Sequence, residues 1–367
     1  MKFYCNRTDL NKALINVSHA VPTRTTSPVL EGIYFKFEDG KLILKATDTS
    51  ITIQATISAE GEEAFEMVVP AKLITAIVNK LPDEDVHFEY NTRSFKLVIT
   101  SGLSVTEISC FDPDEFPILS VSGVSDDINL SKEDLKTLIR KTAFSASSED
   151  YNGVMTGVLL ELGDGQMRMV AVSPFRIATY AVEVESDYQL NVIIPANLAS
   201  DISRIISDEG DDALLMRLAD NKVMFNFDNL EVIVNTVKGK FIDYRRIISK
   251  QGSISVRVKR QDLLKSIDRA SLLTNVKNNN LIRMNINEGV MFIKSLSDEG
   301  KIDEQVEIIK EGEDLVIGMN AKYFKDALSV IDDEEINIFF RDQVSACIIK
   351  PLKGDKYLYL VLPIRIV

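Results

Sequence analysis

The 367-residue chain has no tryptophan, only two histidines and only three cysteines. His19 and His87 have no serine or cysteine patterned beside them, so general-base and nucleophilic catalysis have little to build on. His87 reads as a surface or edge residue of a strand. HExxH, GxxxxGK[ST] and GxGxxG are all missing, which removes the usual signatures of a zinc hydrolase, a P-loop and a dinucleotide site. Cys5, Cys110 and Cys347 lie far apart with no CxxC, which argues against a disulfide framework or a zinc site and fits a reducing cytosol. No apolar run approaches the roughly 20 residues of a membrane span, and the stretch Met1-Lys2-Phe3-Tyr4-Cys5-Asn6-Arg7 holds no apolar signal region. A cytoplasmic, non-membrane protein without cofactor is the expectation. Positive charge is also in deficit: the net charge is −13, which taken alone argues against a nucleic-acid partner.

What is present is a repeat. Val69-Pro70-Ala71-Lys72-Leu73 returns as Ile194-Pro195-Ala196-Asn197-Leu198 and as Met319-Asn320-Ala321-Lys322-Tyr323, with the alanines 125 residues apart each time. Length alone suggests roughly two or three domains, and the period chooses three, at 1–122, 128–248 and 253–367. Apolar residues at helical spacing predict six helices, over 9–20, 71–80, 132–144, 196–206, 259–270 and 320–330. Their leading apolar residues, Leu10, Leu73, Leu135, Leu198, Leu263 and Phe324, stand 61 to 65 apart. Alternating stretches between them predict strands in threes, such as 32–37, 41–46 and 51–57, or 86–90, 95–100 and 104–110. Each copy is therefore two units of strand, helix and three strands, an α+β fold with helices on one surface and sheet on the other. The joins at 120–127 and 249–255 are short and polar.

The acidic cluster Asp208-Glu209-Gly210-Asp211-Asp212 invites a metal. Its turn is also acidic in the other copies, as Asp83-Glu84-Asp85 and Asp332-Asp333-Glu334-Glu335. A solvated helix-to-strand turn explains all three, and no metal site is expected. Charge is unevenly spread. The six predicted helices hold 14 Lys and Arg against 7 Asp and Glu, a net of +7, leaving −20 for the rest. Bases repeat at one-turn spacing, as Lys136 with Arg140 and Lys265 with Arg269. Basic helix faces on an acidic protein predict one surface for a polyanion, contacted through phosphates and without regard to sequence.

Specific motifs complete the pattern: Arg24 ahead of Ser27-Pro28-Val29-Leu30, Ala46-Thr47-Asp48, Phe111 with Glu115-Phe116-Pro117, Phe241-Ile242-Asp243-Tyr244-Arg245-Arg246, Ile317-Gly318-Met319-Asn320 and the ending Val361-Leu362-Pro363-Ile364-Arg365-Ile366. With these the whole chain resembles the bacterial DNA sliding clamp family, the β subunit of DNA polymerase III. The resemblance implies a DNA-clamp fold of three similar domains. Two chains would join head to tail as a homodimeric ring with helices inside, enclosing duplex DNA and sliding along it. It implies a processivity factor without catalysis of its own. The replicative polymerase subunit, the clamp loader and repair proteins would dock through short peptides.

Carried over by position, the DNA contacts would be Arg24, Lys72, Lys80, Lys136, Arg140, Arg204, Lys265 and Arg269. The peptide cleft would comprise Met155, Val172, Pro174, Phe175, Arg176, Ile177, Ile242, Arg246, Ile247, Tyr323, Val344, Leu360, Leu362, Pro363, Ile364 and Arg365. Its arginines and Asn320 would form a polar rim. The dimer interface would set Leu272 and Leu273 against Leu103, Val105 and Ile108 of the partner, with Lys72 and Lys96 facing Asp298, Glu299 and Glu304. Val172-Ser173-Pro174-Phe175-Arg176-Ile177 departs from the family's usual Thr-Asp-Gly-x-Arg-Leu, and Ile242 replaces a usual proline. Both departures predict a more apolar cleft, stiffened at Pro174. Asn152 stands where the family commonly has a basic residue. The alternative reading is a repeat-built peptide-binding scaffold that does not encircle DNA.

Overall fold

The computed structural model describes residues 1–366 except 83–84, 119–120, 122, 126, 187, 209 and 250–251. Asp83, Glu84 and Glu209 of the acidic turns, and parts of both expected joins, lie outside the described residues. Seven helices occur among the described residues: α1 Arg7–Ser18, α2 Ala71–Val78, α3 Lys132–Thr142, α4 Ala196–Ile205, α5 Tyr244–Ile248, α6 Arg260–Ser271 and α7 Ala321–Ser329. All but α5 match expected helices within two or three residues. Each of those six follows directly on a strand: Lys2–Asn6, Phe65–Pro70, Ile128–Ser131, Leu190–Pro195, Ile254–Lys259 and Leu315–Asn320.

Local chemistry explains the helix starts and faces. The Asn6 side chain accepts from the Thr8 and Asp9 amides at 2.8 and 3.2 Å, capping α1. Leu10, Ala13, Leu14 and Val17 then fall on one buried stripe, repeated in α6 by Leu263, Ser266, Ile267 and Ala270. Helix α2 departs from expectation at Leu73, which is exposed. Ala71, Ile74 and Val78 already fill the face of that two-turn helix.

The described residues divide into two compact units, 1–133 with 204–236 and 134–203 with 237–367. The first holds a five-stranded sheet and an eight-stranded sheet, the second a twelve-stranded sheet, and all pairings are antiparallel. In the first unit, Phe3 stacks on Phe88 at 4.5 Å and meets Phe65 at 4.7 Å, forming an aromatic core.

The sheets cross the repeat boundaries. In the first unit, Ile51–Ser58, which ends the strands of one half-copy, pairs with Leu230–Asn235 from the next copy. In the second unit, Arg176–Glu183 pairs in the same way with Tyr357–Val361. No described helix is long and apolar enough to cross a membrane.

Candidate functional site

In the second unit, strands Gln166–Ser173, Arg176–Glu183 and Tyr357–Val361 are neighbours. Val172, Ile177 and Leu360 point to one face and are buried together with Leu159, Val170, Ile193, Tyr244, Ile348 and Leu358. They form a buried floor. Ile242 packs against the floor. Around it stand exposed apolar side chains: Phe175 (54% exposed), Val344 (68%), Ile247 and Leu362. Met155, Pro363 and Ile364 are half-buried and Arg365 is exposed.

Pro174 and Phe175 form the two-residue turn between Ser173 and Arg176. Phe175 stacks on Tyr323 with centroids 6.2 Å apart, and its carbonyl accepts from the Leu362 amide at 2.9 Å. Past Leu362 the chain returns to the sheet, where the Ile364 amide donates to the Gly318 carbonyl at 2.8 Å. A Cβ at Gly318 would lie 2.6 Å from the Ile364 oxygen, so only glycine admits this approach.

Two expected rim groups are committed to the protein instead. Arg176 donates to Asp326 at 2.6 Å and to the Phe144 carbonyl, with its guanidinium 4.6 Å from the Tyr323 ring and 5.4 Å from Phe144. Asn320, 7% exposed, caps α7: it accepts from the Tyr323 amide at 3.1 Å and donates to the Asn279 carbonyl at 2.7 Å. Both residues therefore hold Tyr323 in place.

Sequence reasoning did not anticipate α5 or what fixes it. Tyr244 donates to Glu161 at 2.6 Å, and Arg245 makes a fork to the same carboxylate at 2.9 and 2.8 Å. Burial and that neighbouring carboxylate push the Tyr244 hydroxyl pKa up. The pair pins α5 and presents Arg246 and Ile247 to solvent, Arg246 with Asp243 at 2.8 Å. The run Tyr244-Arg245-Arg246 was the available signal, but Glu161 is 83 residues away from Tyr244.

Arg24, Lys72, Lys80, Arg204 and Lys265 are exposed and Lys136 is half-buried. The helix charge is smaller than the sequence count implies. Lys132 is buried with Asp228 at 3.0 Å. Lys141, 2% exposed, donates to Asp332 and to the Val330 carbonyl. Arg140 lies 3.8 Å from Asp332, and Arg269 donates to Glu304 at 2.8 Å. All these carboxylates come from outside the helices, so a count within helices overlooked them. Arg269 and Glu304, expected at DNA and at the dimer seam, pair with each other inside one chain. Among the described residues there is no cluster of His, Cys, Asp and Glu able to hold a metal ion.

Two strands with an edge at least partly open concern the expected dimer seam. Ser104–Ser109 ends the five-stranded sheet. Gly300–Glu311 pairs over its whole first part with Val290–Ser297, but Ile254–Lys259 covers only 308–311 on the other side. Among the described residues no strand covers the edge at 300–307. Leu103 and Val105 are exposed beside the first edge and Leu272 is exposed after α6, with Leu273 half-buried. The Ile108 side chain is buried in its own sheet, because side chains alternate along a strand and Val105 takes the outer face, so only its backbone reaches the open edge. Lys96 is engaged by Glu107 at 3.3 Å within its own hairpin, and Glu299 lies exposed in the turn before Gly300.

Three family models match the chain in order: the N-terminal domain of the DNA polymerase III beta subunit over residues 1–120, its central domain over 129–243 and its C-terminal domain over 245–365. The beta sliding clamps of Staphylococcus epidermidis and Staphylococcus aureus are each 32% identical over 376 residues, covering 100% of this chain and 99% of theirs. The DNA polymerase sliding clamp of Bacillus subtilis superposes with a TM-score of 0.95 at 27% identity. A sliding clamp from Pseudomonas aeruginosa bound to griselimycin superposes with 0.93 at 26%; both cover 100% of each chain. The paired sheets, the threefold repeat and these full-length matches agree: the chain belongs to the beta sliding clamp family, the non-catalytic beta subunit of DNA polymerase III, with the three-domain α+β clamp fold.

Proposed function

We propose that two copies of this chain close head to tail into a cytoplasmic ring that encircles duplex DNA, slides along it and tethers the replicative polymerase. Its domains are 1–122, 128–248 and 253–367. The observation that carries the ring is the pairing rule of the sheets. At each internal seam, the last strand of one copy's first half pairs with the last strand of the next copy's second half. Ile51–Ser58 and Arg176–Glu183 obey the rule as donors of the first kind, and Leu230–Asn235 and Tyr357–Val361 as donors of the second. The remaining members of each kind are Ser104–Ser109 and Gly300–Glu311, and both have an edge that no described strand covers, the second over 300–307. Continuing the rule pairs Ser104–Ser109 with the strand beginning at the partner subunit's Gly300.

The register follows from the repeat. Leu230 faces Ala55 and Val234 faces Ile51, while Tyr357 faces Tyr180 and Val361 faces Arg176. Counted from the closing rungs of the hairpins, Arg176 opposite Ser173 corresponds to Gly300 opposite Ser297, and Leu230 opposite Phe227 to Ser104 opposite Ser101. Ser104 therefore lies opposite the partner's Glu304, Ile108 opposite the partner's Gly300, and Glu107 opposite the partner's Lys301. An antiparallel seam satisfies edge groups that would otherwise invite non-specific pairing.

Arg24, Lys72, Lys80 and Lys265 supply sequence-independent phosphate contacts. Short peptides from the polymerase, the clamp loader and repair proteins dock their apolar side chains between Phe175, Val344, Ile247 and Leu362. A relative's complex with griselimycin supports a ligand site in this family. The test is topological. The chain should run at about twice its 41.1 kDa mass. Once loaded, it should stay on nicked circular DNA in moderate salt and leave when that DNA is linearised. Equal retention on both forms would reject encirclement and favour a scaffold that binds peptides alone.

A further inference from the structure

The two internal seams are equivalent places in the repeat, yet they are finished differently. In the second unit the closing rung sets Tyr180 against Tyr357, their rings near-parallel with centroids 6.4 Å apart. The Lys141 ammonium lies 5.6 Å from the centre of the Tyr180 ring. It donates to the Val330 carbonyl, at the end of α7, and to Asp332. The chain thus fills this seam with an alkylammonium resting on an aromatic pair at the carbonyl end of a helix.

One period of 125 residues earlier, Lys141 becomes Asn16, Tyr180 becomes Ala55, Val330 becomes Ile205 and Asp332 becomes Ser207. Tyr357 is replaced on the matching rung by Leu230, which faces Ala55. The ammonium and both rings have given way to smaller groups. In the first unit this place is a cavity of about 740 Å³, walled by Asn16, Ile205, Ser207, Leu230, Asp9 and Asp228 among others. Helix α4 ends there at Ile205, so the partial negative charge of its carbonyl terminus faces the space. Asp228 is already paired with Lys132, and Lys12 on the wall offsets Asp9. The pull on a cation therefore comes from the helix end.

We propose that this cavity binds a ligand carrying an alkylammonium next to an aromatic ring, restoring in the first seam what the chain supplies for itself in the second. The ligand is a free aromatic amine or a lysine beside a tyrosine in a partner's segment. The site is separate from the peptide cleft and does not depend on the ring reading.

The full chain is titrated calorimetrically with tyramine and with an acetylated, amidated Lys-Tyr dipeptide, using 4-ethylphenol and butylammonium as controls. At least one of the first two should bind tenfold or more tightly than either control. Preference for tyramine assigns a free amine, and preference for the dipeptide assigns a protein segment. The double substitution Asn16→Lys with Leu230→Tyr, both on the cavity wall, should fill the cavity, weaken binding at least tenfold and raise the melting temperature. Asn16→Lys alone serves if the double variant does not fold. Failure of both probes to outbind the controls, or binding untouched by these substitutions, overturns the proposal.

Discussion

At the scale of single residues, the side chains that looked most available turn out to be the most committed. Lys141 adds to the net charge of its helix in the sequence, but it is buried and directed at Asp332 and a main-chain carbonyl. Arg176 and Asn320 were counted as rim groups, and both are spent on fixing Tyr323. A helical wheel shows which way a side chain leaves its helix but not which distant group it meets. The Lys141 ammonium holds the Asp332 carboxyl below its usual range, chiefly through their hydrogen bond. The sign follows. A carboxylate with a lowered folded pKa stabilises the fold above its unfolded value of about 4, and that share is lost as pH falls through the folded value. Replacing Lys141 by methionine should cost about 0.5–1.5 kcal/mol at neutral pH, because a half-buried carbonyl and a largely exposed carboxylate both lose their donor. The melting-temperature gap between wild type and variant should narrow as pH drops below about 4. A gap unchanged from pH 7 to pH 3 would reject the coupling.

At the scale of elements, periodicity was a dependable guide. Six helices fell where apolar spacing placed them, since burying one stripe is what makes a short helix stable. The same logic erred where an element is too short or too local to show a period. Helix α5 spans five residues and exists because Glu161 grips Tyr244 and Arg245. The Ile108 side chain belongs to the core because its strand alternates, while its backbone lies on the sheet's edge. The edge strands carry a sharp prediction. Glu107 faces the partner's Lys301 in the proposed register, so Glu107→Lys sets like charges across the seam. Each cross-strand repulsion is worth up to about 1 kcal/mol, and a ring has two seams, so dimer dissociation should strengthen by up to about thirtyfold. Adding Lys301→Glu to the same chain should restore the dimer. Sedimentation of the single and double variants decides it: a double variant no tighter than the single one would mean a different register.

At the scale of the whole molecule, the acidic total is compatible with the proposed DNA contact because bases such as Arg24, Lys72, Lys80 and Lys265 remain exposed. Contact with a polyanion is then confined to a few exposed bases instead of the entire surface. Charge reversal of Arg24, Lys72 and Lys265 together should weaken binding to short linear duplexes, and the salt dependence of log K should flatten by up to about 0.9 per lost phosphate contact. Fluorescence anisotropy across a salt series measures both; an unchanged slope would move the contact to other bases. The sequence by itself determined the threefold period, the six helices with an apolar stripe, the alternation of strands and the lack of catalytic groups. Each of these is encoded in neighbours a few residues apart or in a plain inventory. Only the tertiary structure decided which bases are neutralised, that Val172, Ile177 and Leu360 lie beneath the cleft, which strand edges stay open and why one seam is filled while the other holds a cavity. Those outcomes depend on groups such as Lys141 and Asp332, 191 residues apart, or Arg176 and Asp326, 150 apart. Chain folding brings them together, and no local pattern records that they meet.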